Sequence, residues 1–374
     1  MAVKRGMRVL GFMTGTSLDA VDMAVLETDG EAIGAFGPAA ECKLTAQTRA
    51  VVEEAIAAAR AWPRGEPVPG VFEAAAAAIA EEHLVAARTF LDEMGESAGR
   101  IDLVGVHGQT VLHEAPGAGR PGRTVQLIDA RRVAEGLGLP VAFDFRAADV
   151  AAGGQGAPLA PVYHQALARF SRMEPPVAVL NLGGVGNVTL IGQGDVLEAF
   201  DTGPANGMID LFVQSRSEAR RDENGALARS GRIDERVLAA YLDHSHFRAT
   251  GPKSLDRFDF SLEPVADLSL EDGAATLTAF AAEAVALGLC ACSQSPRRVI
   301  VCGGGRHNPA LMHAIRKRLK VPVSAAEWVG WRGDSIEAEA FAYLAVRTFT
   351  GLPISFPATT GVPEPLPGGR IVRP

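Results

Sequence analysis

Cysteine is scarce in this chain, with four among 374 residues. Cys42, Cys290, Cys292 and Cys302 have neither the clustering of a zinc site nor the spacing of a disulfide framework. Cys290 and Cys292 stand in an Ala- and Leu-rich helical run, where a two-residue spacing sends their sulfurs to different faces. All four are expected to be buried, inert thiols. Positive charge is also short: 36 Lys and Arg against 44 Asp and Glu leave a formal net charge of −8. No basic run interleaved with aromatics occurs, which speaks against a nucleic-acid or anionic-membrane partner. The apolar stretch after Lys4 and Arg5 is soon broken by glycine, unlike a signal peptide. No window is expected to reach the ~20 apolar residues of a membrane helix, so a cytoplasmic protein is expected. A GxxxxGK[ST] motif is missing, which excludes a P-loop fold.

What is present is a 47% hydrophobic chain, long enough for two domains of roughly 150–200 residues each. Its halves repeat weakly. "MRVLGFMTGTSLDAVDMAVLETDG" from Met7 has a counterpart in "PVAVLNLGGVGNVTLIGQGDVLEAFDTGP" from Pro176. Each reads as strand, glycine-rich turn, strand. Each half then has an apolar strand ending in glycine, "IDLVGVHGQT" and "RRVIVCGGGRHN", and a short closing strand, "LPVAFDF" and "VPVSAAE". Ala-rich helical segments lie between them, at 70–95 and 272–289, and a further helix is expected to be closed by Gly351 and Pro353. "SRMEPP" links the halves. The pattern implies an α/β protein of two duplicated domains with mixed sheets and a ligand cleft between them.

Three turns after apolar strands carry the glycines: Gly15-Thr16-Ser17, Gly183-Gly184 with Asn187, and Gly303-Gly304-Gly305. Such turns let backbone amides approach an anion closely, and three of them at corresponding strand ends point to a phosphate-bearing ligand. Asp201, at the end of a strand in "AFDTGPAN", is either an Asx-turn residue or a general base. Asp19 and Asp22 either cap the first turn or hold Mg²⁺, directly or through water. His107, Gln109 and Thr110 form a polar trio at a strand end, where a ligand is commonly met. Arg146 and Asp149, before a Gly-Gly-Gln-Gly loop, either recognise a hydroxylated substrate or pin that loop.

"MTGTSLDAVD", "HGQTVLH", "DFRAADVAAGGQGAPL", "NLGGVGNVT", "FDTGPAN", "GPKSLDR", "CGGGRHN" and "IEAEAFAYLA" together resemble the anhydro-N-acetylmuramic acid kinases, in the superfamily of sugar kinases, heat-shock chaperones and actin. The resemblance runs from Met13 to Ala345. It implies two duplicated actin-like (ribonuclease H-like) domains with five-stranded mixed sheets, over 1–173 with 340–374 and over 174–339, and ATP in the cleft. It implies that ATP, water and 1,6-anhydro-N-acetylmuramic acid become N-acetylmuramic acid 6-phosphate and ADP, with Mg²⁺, in peptidoglycan recycling. Asp201 would activate the water, and Glu337 matches a glutamate near the sugar. His107, Gln109, Arg146 and Asp149 would line the sugar. Gly15, Thr16, Ser17, Leu18, Asp19, Ala20, Val21 and Asp22, with Gly183, Gly184 and Asn187, would hold the ATP phosphates. Gly303, Gly304, Gly305 and Asn308 would hold the rest of the nucleotide, and Asp19 the metal. Small-molecule substrates and a homodimer are the partners implied.

Overall fold

The computed structural model describes residues 6–15, 18–97, 99–117, 119–255 and 259–374. The chain forms two compact units, one of residues up to Phe170 together with Ser335–Pro374, the other Ser171–Asp334. In the first, strands β1 (Met7–Thr14), β2 (Ala20–Thr28), β3 (Ile33–Lys43), β4 (Leu103–Val106) and β5 (Val141–Phe143) lie in the order 3-2-1-4-5. The first three are antiparallel neighbours, while β4 and β5 run parallel to β1. In the second unit, β6 (Val177–Leu182), β7 (Val185–Ile191), β8 (Leu197–Pro204), β9 (Arg298–Cys302) and β10 (Val323–Ala325) repeat that order and those directions. This is the duplicated α/β architecture that the repeat implied, in the actin-like form that the resemblance implied.

The first sheet differs from the expected five strands by one. Arg370–Val372 returns from the tail to pair antiparallel with β5. The β2–β3 connection is a further antiparallel step, at a stretch whose periodicity "IGAFGPAAECK" does not announce, since its burial is mixed on both faces.

One face of the first sheet packs Leu10, Phe12, Val21, Met23 and Val25 against the helices Ala46–Ala61 and Val71–Met94. The other carries the helix Ile336–Thr350, which lies unusually close. Gly11 and Gly105 are register partners on β1 and β4. A Cβ on Gly11 would sit 2.0 Å from the Ala338 carbonyl oxygen, and one on Gly105 2.3 Å from that of Phe341. Only hydrogen at both positions lets the helix backbone rest on the strands. That helix ends as its sequence predicts, at Gly351 in the left-handed region with φ +73°.

Two expectations need correction. Leu270–Ala291 is, by length and composition, apolar enough to cross a membrane, with a mean hydropathy of 1.7 over its best window. It is instead a core helix of the second unit, where 72% of that window is buried and Phe280, Ala281, Ala282 and Val285 meet the sheet and its flanking helices. The cysteines are thiols rather than disulfides, but not all are buried: Cys290 is exposed, Cys42 and Cys292 are half-buried, and Cys302 is buried. A two-residue spacing placed the two helical cysteines on different faces, and one of those faces meets solvent. Burial still pushes the Cys292 thiol up to about 12, so it stays protonated.

Candidate active site

In the first unit the expected residues gather at the carboxyl ends of the parallel strands β1, β4 and β5, where open α/β sheets bind ligands. The β1–β2 turn is narrow. Leu18 donates its amide to Gly15 O at 3.3 Å, adopts φ +56°, and buries its side chain in the core. That commitment leaves Asp19 exposed at the bend, its carbonyl accepting the Leu44 amide at 3.0 Å. Thr16 and Ser17 lie outside the described residues. On β2, Ala20 opens the strand, Val21 enters the core, and Asp22 stands on the opposite face, paired in register with Met13. At the end of β1, Thr14 donates its hydroxyl to the Gly108 carbonyl at 3.1 Å, tying the turn to the end of β4.

His107 and Gly108 form the corner between β4 and a separate hairpin, Gln109–Glu114 with Arg123–Leu127. His107 is buried and tilted against Phe341 at 4.6 Å between ring centroids. Its Nε2 accepts from Arg146 Nε at 2.9 Å. Burial first, and the Arg146 charge second, hold its pKa well below the ordinary histidine value. Gln109 is fully buried, and its Oε1 has no hydrogen-bond partner among the described residues. Arg146 Nη1 donates to the Gly156 carbonyl at 2.7 Å, while Asp149 Oδ1 accepts the Gly156 amide at 2.6 Å. The two charged side chains therefore grip one residue of the loop through the peptides on its two sides, with Gly156 at φ +72°. Asp149 Oδ2 also accepts from the Thr360 hydroxyl at 2.5 Å. Glu337 is exposed in the first turn of its helix, four residues before Phe341 and so on the edge of the helix that meets His107. Glu339, two residues on, turns the other way, is buried, and accepts from the Tyr163 hydroxyl.

In the second unit a row of polar residues crosses the sheet. Asp201 on β8 is paired with Asn187 on β7, Asn187 with Asn181 on β6, and Asn181 with Cys302, the residue before Gly303, on β9. Directly opposed residues share a face, so the Asp201 carboxylate lies in line with both glycine turns of this unit. Asp201 is 8% exposed. Its amide donates to Lys253 O at 2.9 Å, its Oδ2 accepts the Leu255 amide at 2.8 Å, and its carbonyl accepts from His246 Nε2 at 2.9 Å. A bulge follows directly, between Asp201 and Gly203.

The Gly183-Gly184 turn is held from behind, where Ala205 and Asn206 donate their amides to Gly184 O and Gly183 O, both at 3.1 Å. In front it is open. A Cβ on Gly184 would meet nothing within 4 Å, and the same holds for Gly304. Neither residue has a left-handed backbone, so neither packing nor conformation explains glycine there. Gly303, by contrast, has φ +76° and Gly305 packs on Leu182. Asn308 caps the helix Pro309–Arg318 through its Oδ1, which accepts the Ala310 and Leu311 amides.

Several residues at these sites had no role in the sequence reading. Lys253 lies in the quoted "GPKSLDR" segment; burial lowers its pKa while the nearby Asp201 opposes that shift, and its ammonium donates to His246 O at 2.7 Å. His246 is held to about 4, mainly by burial. Asp210 is raised to about 6 by burial and accepts from Asn206 Nδ2 at 3.0 Å. The Asn-x-x-x-Asp spacing in "PANGMID" is the only signal that could have found it. Asp256, Arg257 and Phe258 lie outside the described residues.

The family model described as anhydro-N-acetylmuramic acid kinase matches residues 7–373. A relative of that name from Caulobacter vibrioides is 64% identical over 98% of this chain and 99% of its own. One from Phenylobacterium zucineum is 63% identical over 98% and 100%, and one from Brucella anthropi 50% over 97% and 98%. The chain belongs to the anhydro-N-acetylmuramic acid kinase family.

Proposed function

We propose that this kinase uses ATP to phosphorylate O6 of 1,6-anhydro-N-acetylmuramic acid while water opens the anhydro bridge, giving N-acetylmuramic acid 6-phosphate and ADP. The observation that carries this reading is the polar row leading from Asp201 to two glycine turns with open space before Gly184 and Gly304. A single carboxylate in line with two open turns suits a reaction that needs one proton acceptor and otherwise depends on positioning and charge neutralisation.

Asp201 takes a proton from water as the water oxygen bonds to the anomeric carbon. The bond from that carbon to the bridging O6 breaks, and O6 attacks the γ-phosphorus, displacing ADP. The Leu255 amide on Oδ2 fixes the rotamer of the base, and the Lys253 and His246 contacts fix its backbone. His107, Gln109, Arg146, Asp149 and Glu337 serve the sugar. In this role the unpartnered Oε1 of buried Gln109 receives a sugar hydroxyl or amide donor. The turn at Gly15 to Asp22, with Gly183, Gly184 and Asn187, and with Gly303, Gly304, Gly305 and Asn308, serves the nucleotide.

Among the described residues no group of three or more His, Cys, Asp or Glu could cage a metal ion. Mg²⁺ fits such a protein, because it prefers one or two carboxylates with waters and phosphate oxygens to an all-protein cage. Exposed Asp19 would hold it, directly or through water, and it would neutralise phosphate charge.

The test is ADP release with Mg-ATP and, in turn, the anhydro sugar, N-acetylmuramic acid, glucose or buffer, in ¹⁸O-labelled water. Release with the anhydro sugar alone and label at C1 of the product support the proposal. Release with glucose, or label absent from C1, overturns it.

A further inference from the structure

Arg306 has no part in the chemistry above, yet it is built with unusual care. Its side chain is only 1% exposed, while its two carboxylate partners, Glu327 and Asp334, are 49% and 73% exposed. Arg306 Nε and Nη2 donate to Glu327 Oε1 at 3.0 and 2.7 Å, and Nη2 lies 2.7 Å from Asp334 Oδ2. A surface ion pair has no need to bury its cation, which carries a desolvation cost. The buried end of this guanidinium does something else. Nη1 donates to the Gly303 carbonyl at 2.9 Å, and that oxygen also accepts the Arg306 amide at 3.2 Å. Gly333 is shaped to the same purpose, since a Cβ there would sit 2.5 Å from Nε.

The consequence follows from peptide geometry. The bond between Gly303 and Gly304 is trans and planar, so the Gly304 N–H points opposite to the Gly303 C=O. Two hydrogen bonds from Arg306 draw the carbonyl inward. The Gly304 amide is thereby aimed outward, at a residue where a Cβ would meet nothing within 4 Å. We propose that Arg306 is a positioning residue for nucleotide binding, orienting the Gly304 amide toward an oxygen acceptor of the nucleotide, with Asp334 and Glu327 as its anchors. This rests on the nucleotide role given above to Gly303–Gly305. A lysine cannot replace the fork, because one ammonium does not span the carbonyl and both carboxylates.

The experiment compares the full-length wild type with Arg306→Lys, Asp334→Asn and Gly304→Val. It measures the Kd for ADP by calorimetry, KM for ATP and for the sugar, and the thermal midpoint. Arg306→Lys is expected to weaken ADP about tenfold and raise the KM for ATP in step, the effect of one mis-set hydrogen bond, with the KM for the sugar unchanged. Asp334→Asn, at an exposed carboxylate, is expected to shift both in the same direction with an unchanged melting point, and it decides the matter if Arg306→Lys does not fold. Unchanged ADP affinity in Asp334→Asn and Arg306→Lys, with Gly304→Val weakened, would overturn the inference and leave the nucleotide turn standing. Unchanged affinity in all three would remove the turn as well.

Discussion

Arg146 donates from Nε to Nε2 of His107 at 2.9 Å, so the histidine is neutral and carries its proton on Nδ1. The same guanidinium reaches the Gly156 carbonyl, and the one side chain thus orders both the ring and the loop. Arg146→Lys keeps the charge but loses one of these bonds. The KM for the anhydro sugar is expected to rise about tenfold while the KM for ATP stays put. Steady-state kinetics with each substrate varied checks this; equal changes in both would place Arg146 outside the sugar side.

Asp201→Asn should leave the fold intact, because an amide oxygen can still accept the Leu255 N–H. Turnover is expected to drop by ~10²–10⁴, the range for a lost general base, with ADP affinity preserved. Calorimetry beside the coupled assay separates the two. A variant with near-normal kcat would mean that another group takes the proton.

Gly184→Val places its Cβ where the protein itself has nothing within 4 Å. Its melting point should match wild type, since substitutions clear of neighbours stay within about 0.5 kcal/mol. Its KM for ATP should rise at least about tenfold, because branched carbon would occupy the space before the turn. Normal ATP kinetics in a stable Gly184→Val protein would leave this glycine unexplained.

Acid should destabilise the protein earlier than carboxylate titration alone requires. Burial holds His83 and His164 to about 4, against an ordinary value of 6.5. Between those values the unfolded chain binds protons that the folded chain refuses. Stability is therefore full above pH 6.5 and falls as pH drops toward 4, by roughly 3 kcal/mol for each histidine. Denaturant midpoints measured from pH 7.5 to 4 should show this slope, and a flat profile above pH 5 would mean that both histidines charge in place.

Much of this protein was legible along the chain, for local reasons. Strand–turn–strand patterning, Ala-rich helices and the Gly351 stop depend on residues within a few positions of one another, and the duplicated order followed from reading them twice. The glycine turns and Asp201 announced themselves as polar or small residues after apolar runs. Arg146 and Asp149 were legible as residues that recognise a substrate or pin the loop, and in the fold both take hold of Gly156 in that loop, a shared target that no spacing announces. Leu270–Ala291 was legible as an Ala-rich helix, but its hydropathy suits a bilayer as well as a core, and only its packing in the second unit shows which it serves.

Other features exist only once the sheets close. The row from Asp201 through Asn187 and Asn181 to Cys302 beside the Gly303 turn joins residues up to 121 positions apart by register (302 − 181), which no spacing encodes. The need for glycine at Gly11 and Gly105 comes from a helix more than 220 residues later. Arg306 meets Gly303 locally but Glu327 and Asp334 only through the folded segment between them. Local chemistry selects elements and turn residues; which face each one meets, and which amide is left pointing outward, is decided by long-range pairing, because side-chain direction in a sheet is set by the neighbouring strand.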